Sequence, residues 1–200
     1  MKIKTSSILI IITCIAHVSC VVSKRYPELY YKNYEPLLNN LHTIYSAAYI
    51  TKPLAIAYTD WQYDNVSIEL KTDTVKYIYN FNIQDPALYD TLTTYGYSAQ
   101  VTKVLLQIMK SVRCTWINSI EYNVDGTANN LISIAVHAKS GLLNFKSKYY
   151  VFHYYQQAQY YNEAGKLLNK KKLKQLRKVN NEIFYRITDK VCYTISNKFR

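Results

Sequence analysis

The dipeptide Asp125-Gly126 stands between two runs of strand-forming residues, CTWINSIEYNV before it and LISIAVHA after it. Asp-Gly suits the positive-φ geometry of a tight hairpin turn, so the two runs are expected to pair antiparallel. A second turn signal, KSG at residues 139–141, leads into LLNFKSKYYVFHYYQ. Three runs joined this closely leave no room for a crossover and must lie side by side as an antiparallel meander. A hairpin turning at 139–143 would set His137 opposite about residue 145.

The flanking segments add helices and further strands. After Pro36, residues Leu37, Leu38, Leu41, Ile44, Tyr45 and Ala48 recur at three- and four-residue spacing, which predicts one amphipathic helix. DNVSIEL and TVKYIYNFNI read as extended. In the second, Val75, Tyr77, Tyr79, Phe81 and Ile83 form one face of a half-buried strand. Asp85-Pro86 provides a cap and a first-turn proline for a short helix ending near Thr94 and Gly96. Ser98 caps another, whose stripe is Val101, Val104, Leu105, Ile108, Met109 and Val112. EIFYRITDKVCYTIS is expected to be a last strand. The predicted class is α+β: an antiparallel β-sheet, a meander of three to five strands, with amphipathic helices packed on one face.

The first residues address the chain rather than fold with it. Lys2 and Lys4 precede an apolar run from Ile8 to Ala16. That run is shorter than the about 20 residues a membrane-spanning helix needs and fits the apolar core of a secretory signal. Residues 1–23 are therefore expected to be a signal peptide and 24–200 a single globular domain, with SKRYPELYYKNY as an exposed arm. No later stretch is apolar enough for a transmembrane helix. The expected location is secreted or periplasmic. Val-Ser-Cys20 offers an alternative, acylation of Cys20 and a structural role as a lipid-anchored envelope protein, although His17 occupies a position where that motif favours leucine. In an oxidising compartment Cys114 and Cys192 are expected to form a disulfide.

Chemistry is sparse. Four glycines in the whole chain are too few for a phosphate-cradling loop, and neither HxxxH nor CxxC occurs, so no metal or cofactor is expected. Asp60 and Asp64 flank Trp61 and Tyr63, a spacing read as a polar loop rather than a pair of catalytic carboxylates. Catalytic residues are not assigned. A non-enzymatic binding protein is expected, with an enzyme of unrecognised type as the alternative.

Two segments are candidates for contact. The net charge of +12 falls to +10 when Lys2 and Lys4 leave, and seven of those charges sit in KLLNKKKLKQLRK, residues 166–178, with no acid among them. As a helix this stretch places Leu168, Leu173, Leu176, Val179 and Ile183 on one stripe and Lys170, Lys171, Lys174, Arg177 and Lys178 on a solvated face. Such a face suits an acidic protein, a glycan or an anionic membrane surface; nucleic acid is disfavoured because no aromatics interleave to stack on bases. The second segment is the aromatic run Tyr149, Tyr150, Phe152, Tyr154 and Tyr155, expected to offer a row of rings to a partner on one sheet face. The chain's 22 tyrosines follow equally from AT-rich coding, so tyrosine content alone carries no weight.

Overall fold

A computed structural model describes residues 25–71, 76–124, 127–138, 148–170, 172–179 and 181–197. The signal segment, Cys20, Val75, both hairpin turns of the meander and Lys171 lie outside the described residues.

Helix α1 (Arg25–Tyr49) begins well before Pro36. Pro27, Tyr31, Leu38, Leu41, Tyr45 and Tyr49 are its buried side. The same three- and four-residue spacing runs upstream through tyrosines, so the segment read as an exposed arm is the first part of this helix. Pro36 sits on the exposed side, where its missing N–H leaves a carbonyl that water can satisfy. Strands β1 (Leu54–Tyr58), β2 (Asn65–Lys71) and β3 (Lys76–Asn82) follow as a meander. Helix α2 (Pro86–Thr94) is capped by the Asp85 carboxylate, and helix α3 (Ala99–Ser111) by the Ser98 hydroxyl, as their sequences indicate. Strands β4 (Cys114–Val124), β5 (Thr127–His137) and β6 (Tyr149–Tyr155) form the second meander.

The class is α+β with one large antiparallel sheet. It holds eight strands in the order β11-β12-β6-β5-β4-β1-β2-β3, with β11 (Tyr185–Arg186) and β12 (Val191–Ser196) added to β6. The expected three to five strands fall short because the two meanders join edge to edge. That joint is slight: β1 pairs with β4 only at Ile56↔Ile117 and Ala57↔Trp116. The last segment is not one strand either, since Thr188 and Asp189 turn it back so that β11 pairs with β12.

One face of the sheet carries the main core. Leu38, Leu41, Tyr45 and Tyr49 of α1, with Leu105 and Met109 of α3, meet Ile56, Ile68, Ile117, Ile134, Phe152 and Tyr193. The tyrosines here are tethered as well as buried. The Tyr58 hydroxyl donates to Leu106 O at 2.9 Å, and the Tyr45 hydroxyl to Leu54 O at 2.6 Å. Each satisfies its own polar atom in an apolar setting and links a helix to a strand.

The expected disulfide does not form: Cys114 and Cys192 are both free and buried. Cys114 packs in the main core under the helices, whereas Cys192 packs in a smaller cluster with Tyr155, Leu167 and Phe184. Strands β5 and β6 lie between them, a separation of about 14 Å at ~4.8 Å per strand, against the about 6 Å between Cα atoms that a disulfide requires. His137 pairs with Tyr149 rather than with the residue near 145 that a turn at 139–143 implies.

Leu37 and Leu38 test the helix phase directly. Leu38 is fully buried while its neighbour Leu37 is 38% exposed. Leu38→Ala is expected to cost about 2–5 kcal/mol and Leu37→Ala less than about 1 kcal/mol in chemical denaturation; equal losses would place the helix in a different phase.

Candidate functional site

The basic stretch is a β-hairpin, not a helix. Strand β7 (Leu168–Asn169) pairs with β8 (Lys172–Leu176) through Leu168↔Leu176 and Asn169↔Lys172, with Lys170 just beyond the end of β7. A helix would bring Lys170 beside Lys174 and Lys174 beside Lys178, stacking like charges one turn apart, and the hairpin avoids this. Gly165, at φ +69°, makes the turn that leads into it. Leu167 anchors the base, being 1% exposed, and its carbonyl accepts the Arg177 N–H at 3.0 Å.

The predicted basic residues therefore divide. Lys170, Lys174 and Lys178 are exposed, and so is Lys172. Arg177 points inward instead, its guanidinium 5.8 Å from the Tyr155 ring centre. Leu173, assigned to the inner stripe, is 52% exposed and stands between Lys172 and Lys174. Val179 and Ile183 belong to a second small ribbon, β9 (Lys178–Val179) with β10 (Glu182–Ile183).

The aromatic run is covered on both sides. Tyr150, Phe152 and Tyr154 are buried beneath α1, where Tyr30 and Tyr31 contact Phe152 and His42 stacks on Tyr154. Tyr155 is buried on the other face under the segment from Tyr161 to Phe184, and Tyr149 is half-buried beside His137. No open row of rings is left for a partner; these residues hold the sheet between its two layers.

That second layer covers a polar row. Ser133, His153 and Cys192 are direct cross-strand partners on β5, β6 and β12. The Ser133 hydroxyl and His153 Nδ1 are 2.9 Å apart, and the Phe184 ring lies 5.0 Å from the imidazole. His153 keeps some exposed surface, but its Nε2 is enclosed with no partner among the described residues. Burial, aided by the Arg177 charge, pushes the imidazole down to about 4. Burial raises the Cys192 thiol to about 12. Both groups are neutral near pH 7, so the row has neither the thiolate nor the imidazolium of a cysteine nucleophile pair.

A third feature, absent from the sequence reading, is a cleft of about 1000 Å³ where β1 and β4 part. Thr51, Lys52 and Pro53 form one wall, Tyr95 and Tyr97 another, and Asn118, Ile120 and Glu121 of β4 the third. The Tyr45 hydroxyl lies at the fork and donates to Leu54 O at 2.6 Å. The β1/β4 register would place Leu54 opposite Ser119, so the hydroxyl stands where a ladder bond would otherwise close. One sequence signal hints at this. Along β4 the helix-facing positions run Ile117, Ser119, Glu121, so the apolar lining gives out before the strand does.

The remaining candidates are structural. Asp60 accepts the backbone N–H groups of Asp64 and Asn65 at 3.0 and 3.1 Å, and Asp64 pairs with Lys110 at 3.0 Å. The two carboxylates thus organise the β1–β2 turn. Among the described residues there is no cluster of three metal-binding side chains, and no helix is long and apolar enough to cross a membrane.

His153 makes stability depend on pH. Its folded pKa lies below the unfolded 6.5, so its neutral form stabilises the fold fully above about pH 6.5, and that contribution is lost as the pH falls towards 4. Between pH 7 and pH 4 the stability of the wild type is expected to fall by about 2 kcal/mol more than that of His153→Gln, after allowing for partial exposure. Parallel curves in urea titrations would show that the imidazole is not held neutral. Comparison with protein families, with characterised proteins and with solved structures finds no match, so function here rests on the chain's own chemistry.

Proposed function

We propose that the protein is a secreted or periplasmic binding protein without catalytic activity, and that the β7–β8 hairpin attaches it to an anionic lipid surface. The observation that carries this reading is the composition of the hairpin surface: Lys170, Lys172, Leu173 and Lys174 are all exposed, Lys178 follows exposed just beyond it, and no acid occurs from 166 to 178. Lysine ammoniums on flexible stems suit lipid phosphates, and each contributes about 1 kcal/mol near a charged surface. At a bilayer the exposed Leu173 side chain can enter the interfacial region beside the lysines, a contribution that contact with a hydrophilic glycan does not offer.

Sedimentation with lipid vesicles tests the proposal. Wild-type protein is expected to bind phosphatidylserine-containing vesicles, to release them as salt rises, and to ignore pure phosphatidylcholine. Reversing Lys170, Lys172 and Lys174 to Glu is expected to weaken binding by more than about 100-fold with unchanged circular dichroism. Leu173→Ser is expected to weaken it several-fold without altering the salt dependence. Equal binding by the reversed variant would overturn the proposal, and retention on heparin without vesicle binding would transfer the hairpin to a glycan partner.

A further inference from the structure

We infer that the cleft at the β1/β4 fork receives an extended peptide segment, which adds as a strand to the open edge of β4 and carries a basic residue opposite Glu121. This site does not involve the basic hairpin. The backbone geometry is the first argument. Successive residues of a strand turn their N–H and C=O to opposite sides. The Thr59 N–H donates to Asn65 O of β2 at 2.9 Å, so Ile56 and Leu54, at alternate positions, turn their backbones to β4; Ile117, opposite Ile56, faces β1, Ser119, Glu121 and Asn123 turn the same way, and Ile120 and Tyr122 face β5. Among the described residues nothing pairs with β4 on the β1 side beyond this point. A peptide laid along the edge would bond the Glu121 and Asn123 backbone groups without disturbing the β4/β5 ladder.

The register supplies the second argument. If β1 continued its pairing, Lys52 would stand opposite Glu121. It does not, because the strand stops at Pro53, whose carbonyl accepts the Tyr97 hydroxyl at 3.3 Å. Lys52 is drawn away to donate to Tyr95 O, with its ammonium 4.7 Å from the Tyr97 ring centre. The fold thus withdraws its own cation from the place beside Glu121.

The lining supplies the third. Its other charged groups are engaged: Glu69 pairs with Lys76 at 2.7 Å, and Lys52 is held as described. Glu121 is exposed and forms no ion pair among the described residues. On the opposite face of β4, Ile120 is 49% exposed at the same cleft. A strand presents side chains to both faces in alternation, so a segment alternating basic and apolar residues would meet Glu121 with one and Ile120 with the next.

Two synthetic peptides serve as probes in a titration of the isotope-labelled protein, followed by amide exchange: Ac-Thr-Val-Lys-Val-Lys-Val-Thr-NH2 and its counterpart with Glu for Lys. The lysine peptide is expected to slow exchange at Glu121 and Asn123 and to bind at least about fivefold tighter than the glutamate peptide. Glu121→Lys is expected to invert that preference. Asn123→Pro removes one edge N–H while sparing the bonds to β5, and is expected to abolish binding with Ile120 and Tyr122 still protected. Binding that leaves the Glu121 and Asn123 amides unchanged, that survives Asn123→Pro, or that does not discriminate between the peptides would overturn the inference, as would no binding at millimolar peptide.

Discussion

The arrangement of the molecule depends on the Tyr45 hydroxyl, which donates to the Leu54 carbonyl at 2.6 Å where a continued β1/β4 register would set Leu54 opposite Ser119. It lies where two three-stranded meanders meet through only two register pairs. A joint that narrow cannot by itself unite eight strands, and helix α1 completes it. Near its start, Tyr30 and Tyr31 pack on Phe152, and Glu28 accepts the Tyr193 hydroxyl at 3.3 Å, which binds the β6–β12 side. Near its end, Tyr45 and Tyr49 bind β1 and α3, the latter through the Thr102 hydroxyl at 2.8 Å. The helix clamps both halves of the sheet, and its Tyr45 occupies the Leu54 carbonyl at the point where their pairing ends.

Tyrosine is the means of this construction. Each buried phenol supplies ring area comparable to phenylalanine and one hydroxyl that costs free energy unless bonded. Here several of those hydroxyls end on backbone carbonyls of another element, as with Tyr58 on Leu106 and Tyr45 on Leu54. Burial raises these phenols above their ordinary pKa, so they remain neutral donors throughout the physiological range. The consequence for function is spatial. The aromatic residues are largely consumed in holding layers together, and contact with other molecules is left to lysines on the hairpin and to the cleft.

Much of the local structure was legible. The caps at Asp85 and Ser98, the stripe of α3 and the pairing around Asp125-Gly126 each follow from signals confined to a few residues, and helix and hairpin bounds agree with them. What escaped was long-range. LAIAY is a five-residue apolar run without alternation, and nothing near it announces that β4 will be its neighbour. The basic segment misled because leucines spaced for a helix also suit a short hairpin, and the repulsion among its lysines decides between them. The disulfide expectation rested on compartment alone and failed on topology, since the two thiols belong to opposite layers. The hairpin lysines were visible in sequence; the cleft was not, because it arises from an interrupted pairing.

Amide hydrogen exchange of the free protein tests the central claim that β4 is open beyond Ser119. Ile120 and Tyr122 are expected to exchange slowly, through their bonds to β5, while Glu121 and Asn123 exchange at rates near those of an exposed chain. Tyr45→Phe is expected to change Ser119 most. Uniform protection along residues 118–123 would contradict the account, because it would mean that the fork is closed and that no edge is offered.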